Sequence, residues 1–261
     1  MADTPETITP APKVPAWPPK SAPRLFVEGP VSEGAAITLE AGQAHYLAKV
    51  MRVRAGDTII ICDNATGEWA AHVETAEKRR VSAIISQCLR PREQVPDLWL
   101  CPALLKKDRF DLVLEKATEL GAALIQPVVT RRCVADKLNP DRARTLTIEA
   151  AEQCARTALP DLRAPARLDA LLRDWPEDRA LFFADEQGGI PAAQAFAAHD
   201  GPAAILTGPE GGFDDAERAA IRAHSAARPI ALGPRILRGE TAAIAAIAVW
   251  MAQAGDWSIT K

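Results

Sequence analysis

Leu206-Thr207-Gly208-Pro209-Glu210-Gly211-Gly212-Phe213 and Leu232-Gly233-Pro234-Arg235-Ile236-Leu237-Arg238-Gly239-Glu240-Thr241-Ala242 are the stretches from which the fold is read. Each is a glycine- and proline-rich loop behind a short apolar run, Ala203 to Thr207 in the first case and Pro229 to Gly233 in the second. Neither loop can continue a regular element, so each run reads as a buried strand feeding a tight turn. Asp214, three residues before Glu217, marks a helix N-terminus after the first loop. After the second, Thr241 to Ala252 reads as a helix that is apolar on every side and too short to span a bilayer, so it is expected to be buried against a sheet or a partner subunit. Two such units side by side place their loops at the carboxyl ends of parallel strands, where open α/β sheets hold small ligands.

Working upstream, Asp97 to Leu104 reads as a buried strand, and Lys107 to Leu120 as a helix with Phe110, Val113, Leu114 and Ala117 on its core stripe and Gly121 as its stop. Ala122 to Val129 returns as a strand, which makes a parallel crossover. Asn139-Pro140 opens a helix to about Ala158 that places Glu149, Gln153 and Arg156 on one polar stripe. With Leu181 to Asp185 the expectation is an α/β sheet of about five strands over residues 97–261. Pro91 to Pro96 marks a domain boundary. Before it, residues 24–92 show short β-prone runs separated by Gly29, Gly34, Gly56 and Gly67, which predict a small β-barrel. One helical interruption, His45 to Met51, is expected to turn Leu47, Val50 and Met51 inward and Lys49 and Arg52 to solvent.

Composition excludes several classes. The chain has 261 residues, a net charge of −3 and no long uninterrupted apolar run, so no membrane span is expected. Residues 1–23 read as a flexible, proline-rich extension. Five widely spaced cysteines without a Cys-x-x-Cys argue against a disulfide framework and against a metal site, and they fit a reducing cytoplasm. Overall charge gives no support to nucleic-acid binding, so any RNA contact must come from local clusters such as Arg52 with Arg54, or Lys78-Arg79-Arg80. Neither glycine loop is Gly-x-Gly-x-x-Gly, which disfavours a dinucleotide enzyme.

The two opening stretches, with Lys116-Ala117-Thr118-Glu119-Leu120-Gly121, Glu152-Gln153-Cys154, Arg156 and Pro160, resemble the RsmE family of the SPOUT superfamily, which methylate N3 of a uridine in 16S ribosomal RNA. The segments His45-Tyr46-Leu47, Val50-Met51-Arg52 and Gly56-Asp57 are similar to that family's PUA-like RNA-binding domain. The resemblance covers the chain from Arg24 onward. It implies a parallel sheet closed by a C-terminal trefoil knot, a homodimer packed through knot-region helices, and a 16S ribosomal RNA substrate presented within the small subunit. It implies S-adenosylmethionine held by backbone groups of Leu206, Thr207, Gly208, Glu210, Gly211 and Gly212 on one loop and Leu232, Gly233, Ile236, Leu237, Arg238, Thr241 and Ala242 on the other. RNA contacts are expected from Arg24, His45, Tyr46, Arg52, Arg54 and Gln153. Gly239 departs from the family, which commonly has threonine or another small residue there; the position is expected to be tolerant.

Uracil N3 carries a proton that must leave before its lone pair attacks, so the reaction needs a base or a cation that stabilises the anion. Arg238, Arg156 and Lys116 are candidates for the cation, and Glu119 or Glu240 for the base, with Glu240 also a candidate helix cap. Related SPOUT enzymes with other RNA targets, and a non-catalytic RNA-binding assembly factor on the same fold, remain alternatives.

Overall fold

The computed structural model describes residues 21–258. The extension expected over residues 1–23 therefore lies, up to residue 20, outside the described residues. Contacts divide the chain at Arg90 and Pro91 into two compact units.

In the first unit, β1 (Arg24–Phe26), β2 (Ala36–Glu40), β3 (Thr58–Cys62), β4 (Gly67–Ala76) and β5 (Arg80–Pro91) form one sheet in the order β1-β3-β4-β5-β2. Leu25 from one edge strand and Leu39 from the other belong to the same buried cluster as Ile59, Ile61, Val81 and Ile85, so the sheet curls around a single core. Asp63, 5% exposed, ties down the turn after β3. It accepts from the backbone N–H groups of Val31 at 2.8 Å, Ala65 at 2.9 Å and Thr66 at 2.7 Å, and from the Thr66 hydroxyl at 2.6 Å. Burial pushes its carboxyl up, but these hydrogen bonds prevail and hold it down at about 2.

The helix in this unit differs from expectation. Helix α1 (Ala41–His45) runs into a π-helical turn, Tyr46–Val50, in which the Met51 N–H donates to the Tyr46 carbonyl at 3.0 Å. Leu47 is buried as expected, but Val50 is 62% and Met51 38% exposed. The wider π turn rotates both off the face that Leu47 presents to the core, which a 3.6-residue period cannot anticipate.

In the second unit, β6 (Leu98–Pro102), β7 (Leu124–Ile125), β9 (Asp161–Leu162), β11 (Ala180–Ala184), β12 (Ile190–Pro191), β13 (Ala203–Thr207) and β14 (Ala227–Ala231) form a sheet ordered β12-β14-β11-β13-β6-β7-β9, with each neighbouring pair parallel. It has seven strands rather than about five, because β9 and β12 are two residues each and leave no periodic trace. The run read as one strand over 122–129 is two, β7 and β8 (Val128–Val129), interrupted at Gln126-Pro127; β8 pairs instead with β10 (Ala166–Arg167).

Alternation along the strands builds two cores. Phe182, Ala203 and Ile205 face α2 (Lys107–Glu119), α5 (Ala192–Ala197) and α7 (Gly239–Gln253). Leu181, Phe183, Ala204 and Leu206 face Leu168 of α4 (Leu168–Arg173), Trp175, Phe213 and Ile221 of α6 (Asp215–Ala223). Helix α2 buries Phe110, Val113, Leu114 and Ala117 as the stripe predicts, and Gly121 follows it with φ +95°. Helix α3 (Pro140–Cys154) starts at the Asn139 cap but stops four residues earlier than expected, at a left-handed Ala155. Arg156 therefore leaves the polar stripe and turns inward, 5% exposed. No helix among the described residues is long and apolar enough to cross a membrane.

Candidate active site

Strands β14, β11 and β13 are spatial neighbours, and the loops that leave their carboxyl ends enclose one cleft. Asp185, Glu186 and Gly188 line it from the first loop, Gly208, Pro209, Gly212 and Phe213 from the second, and Leu232 to Leu237 with Gly239 and Ala242 from the third. Arg218 of α6 lines it as well.

The second loop is fixed at both ends. The Phe213 ring packs edge-on to Phe183 at 5.2 Å. Asp214 accepts from the Glu217 N–H at 2.7 Å while Glu217 accepts from the Asp214 N–H at 3.2 Å, a reciprocal cap on α6. The Glu217 N–H, and after it the Arg131 guanidinium, hold the Asp214 carboxyl below the usual carboxylate range. Glu217 also accepts from the Arg131 N–H at 2.8 Å. Gly212 has φ +64°, and a Cβ there would stand 3.1 Å from Glu186 Oε1, so the position favours glycine on both counts.

Beside the cleft lies a charge network. The Asp185 side chain is fully buried and accepts from Arg218 Nε at 3.2 Å and Arg222 Nε at 2.8 Å. Arg218 Nη2 donates to Glu186 at 2.7 Å. A second cluster joins the second and third loops to the start of α2: Glu210 accepts from the Lys106 N–H at 3.2 Å and lies 3.5 Å from Arg109, whose Nε is 3.8 Å from Glu240 Oε1. Glu240 Oε2 is buried without a hydrogen-bond partner. The side chain does not cap α7, whose N-cap is Arg238, so the capping role expected for Glu240 is not seen.

Of the residues the sequence assigns to cofactor binding, Gly208, Gly212, Leu232, Gly233, Ile236, Leu237 and Ala242 line the cleft. Leu206 and Thr207 end β13, buried beneath its loop. Glu210, Gly211, Arg238 and Thr241 stand outside the lining: Glu210 turns to α2, the Gly211 carbonyl accepts from Arg132 Nη1 at 3.0 Å, and Arg238 and Thr241 are exposed at the start of α7. Asp185, Glu186 and Arg218 went unread. The signal was present, since Leu181 to Asp185 runs directly into Glu186-Gln187-Gly188-Gly189, a third strand and glycine loop.

Among the catalytic candidates, Arg238 and Glu240 flank Gly239, which lines the cleft, at the start of α7. Lys116 and Glu119 pair at 2.9 Å in the last turn of α2, and hydrogen bonds from Lys116 to Glu115 and then Glu119 raise the lysine's pKa. Arg109 and Lys106 begin that helix at the cleft loops, so Lys116 and Glu119 lie on the order of 10 Å or more along its axis from them. Arg156 sits at the same far end: Nη1 donates to the Thr118 carbonyl at 2.7 Å and Nη2 to the Ala122 carbonyl at 2.8 Å. Burial pushes its pKa down to about 10, so it stays charged at neutral pH and closes the carbonyl end of α2.

Gly239 is less tolerant than expected. A Cβ there would lie 2.8 Å from Leu105 Cδ2 and 3.0 Å from the Gly208 carbonyl oxygen. Leu105 is itself buried, so this chain fills with leucine the room that a larger residue at 239 needs.

In the first unit, Arg24 donates through Nε to Glu68 at 2.7 Å, and Glu68 is buried, so that guanidinium is held in a structural pair. Arg52 (φ +56°) and Arg54 are exposed, with the Arg54 N–H donating to Asp57 at 2.8 Å. Tyr46 is half-buried, and exposed His45 lines a groove with Glu40, Ala41, Lys78 and Arg79. Gln153, in the second unit, is exposed on α3.

Known proteins share this arrangement. Residues 91–251 match the family model described as an RNA methyltransferase domain, and residues 39–86 that of an RNA methyltransferase PUA domain. The ribosomal RNA small subunit methyltransferase E of Synechocystis is 31% identical over 224 residues, 82% of this chain and 72% of the relative. That of Rickettsia conorii is 28% identical over 231 residues, 86% of this chain and 93% of the relative. The crystal structure of the Neisseria gonorrhoeae enzyme of that name, bound to S-adenosyl methionine, superposes with a TM-score of 0.82 at 28% identity, covering 91% of this chain and 100% of the other. With the RNA methyltransferase domain spanning more than half its length, the chain belongs to the RsmE family of RNA methyltransferases.

Proposed function

We propose that the chain transfers a methyl group from S-adenosylmethionine to N3 of a uridine in 16S ribosomal RNA of the small subunit. The observation that carries this is the cleft of three loops at the ends of β11, β13 and β14, in a chain that superposes closely on an S-adenosyl methionine-bound relative. The cleft suits that cofactor chemically: backbone groups and the apolar side chains of Leu232, Ile236 and Leu237 can enclose a nucleoside, while Glu186 and Arg235 give the lining polar partners for its hydroxyl and carboxylate groups. When bound, the cofactor supplies an electrophilic methyl group.

The chain's own residues then have two tasks. One is to place uracil N3 in line with that methyl, which needs an unpaired or flipped base because N3 lies on the pairing edge. The other is to manage the N3 proton. Arg238, between the lining residues Leu237 and Gly239, is a cation that would stabilise the developing anion, and Glu240, with Oε1 3.8 Å from Arg109 Nε, is the carboxylate on the same turn of α7. The exposed His45, Arg52 and Arg54, together with Lys78 and Arg79, supply backbone contacts from the first unit. We further propose a threaded knot and a homodimer. Support for the first is the tight passage of Gly239 against Leu105 and Gly208; for the second, Ile244, Ala245, Ala248 and Val249 of α7 are only half-buried in one chain. A cytoplasmic setting fits the five cysteines, all free.

Incubating the protein with labelled S-adenosylmethionine and small subunits lacking the modification should yield labelled 3-methyluridine, identified by mass spectrometry. Label on another nucleoside or on transfer RNA would keep the enzyme class and overturn the target, and tight RNA binding without turnover would favour an assembly factor.

A further inference from the structure

We propose that Glu186 is the residue that reads the ribose of the bound nucleoside, accepting hydrogen bonds from its vicinal hydroxyls. This rests on the cleft being the S-adenosylmethionine site.

Two carboxylates line the cleft, Asp185 and Glu186. Asp185 has no capacity to spare. Its side chain is fully buried, Oδ1 accepts from Arg218 Nε and the Gln187 N–H, and Oδ2 accepts from Arg222. Glu186 is different: its side chain is 45% exposed, and Oε1 takes one hydrogen bond from Arg218 Nη2 at 2.7 Å. Arg218 is 8% exposed at its side chain and is anchored from behind by Asp185, so the Glu186 carboxylate is fixed on one side and open on the other. It leans toward the neighbouring loop, with both oxygens 3.1 and 3.4 Å from where a Gly212 Cβ would stand.

The loop that carries Glu186 is closely packed. A Cβ at Gly189 would lie 2.4 Å from the Pro229 backbone, and the Gly188 carbonyl accepts from Arg222 Nη2 at 3.2 Å. A fixed acid at the carboxyl end of one parallel strand, beside a glycine loop on the next, is the arrangement by which doubly wound sheets hold ribose hydroxyls. Pairing with Arg218 offsets the charge of Glu186 locally, which suits neutral hydroxyl donors better than an ammonium group.

The test is calorimetric titration of the full chain and its Glu186→Ala and Glu186→Asp variants. The ligands are S-adenosylhomocysteine, 5′-methylthioadenosine, which lacks the amino-acid part, and the 2′,3′-dideoxy form of the latter. Thermal unfolding checks that each variant folds. We expect Glu186→Ala to weaken both ribose-containing ligands equally, by about tenfold or more. The wild type should prefer 5′-methylthioadenosine to its dideoxy form and the alanine variant should not, with Glu186→Asp in between. Undiminished 5′-methylthioadenosine binding by Glu186→Ala would overturn the proposal while leaving the cofactor reading intact. Absence of any nucleoside binding by the wild type, seen before any substitution, would remove both.

Discussion

Arg156, a candidate catalytic cation by resemblance, is bound into the fold. Its guanidinium bonds two carbonyls at the end of α2, and its Nε is buried without a partner. Replacing it with methionine should strand those carbonyls and cost roughly 2–4 kcal/mol in denaturant unfolding, with turnover falling only as far as folding does. A variant with full stability and lost turnover would instead support a catalytic role for Arg156. Gly239→Thr, which makes the position resemble the family, should destabilise by about 1–3 kcal/mol because Leu105 already occupies the space, and pairing it with Leu105→Ala should recover part of the loss. Asp63 makes a prediction in pH. Its carboxyl is held at about 2 in the fold against 3.8 as an ordinary aspartate, so its contribution is complete above 3.8 and lost as pH falls through about 2. The stability gap between wild type and Asp63→Asn should therefore be wide at about pH 5 and narrow by about pH 2, measured by denaturant midpoints.

Elements were legible where a local signal was strong. The Asp214 and Glu217 pair announced α6, the Asn139-Pro140 pair announced α3, and the stripe of α2 named its buried residues. Glu217→Ala should remove two backbone hydrogen bonds at once, those of Asp214 and Arg131, and lower stability by about 1–2 kcal/mol while loosening the glycine loop; the loss should be visible as weaker nucleoside binding. What failed were elements whose form depends on partners distant in sequence. Strands of two residues exist only because a neighbour pairs with them, and the π turn at Tyr46–Val50 moved Val50 outward without any change in its apolar character. The third wall of the cleft was missed for a related reason: Glu186 matters only because β11 lies between β13 and β14, an order that sequence distance does not suggest.

At the scale of the molecule, every described residue lining the cleft belongs to the second unit. A fragment beginning at Pro91 should bind S-adenosylhomocysteine as the full chain does, yet methylate small subunits far less, since the RNA contacts proposed at His45, Arg52 and Arg54 are gone. Equal methylation by fragment and full chain would remove the first unit from substrate recognition. The seating of β13 also bears on synthesis. It lies between β6 and β11, both made earlier, and the cleft gains its last wall only when residues 232–242 are in place. A ribosome delivers this chain from one end, so a nascent chain ending before Gly239 would hold all seven strands of the sheet and no complete nucleoside site. Cofactor affinity would then arise in one step, once residues 232–242 are made, rather than being acquired gradually as the chain lengthens.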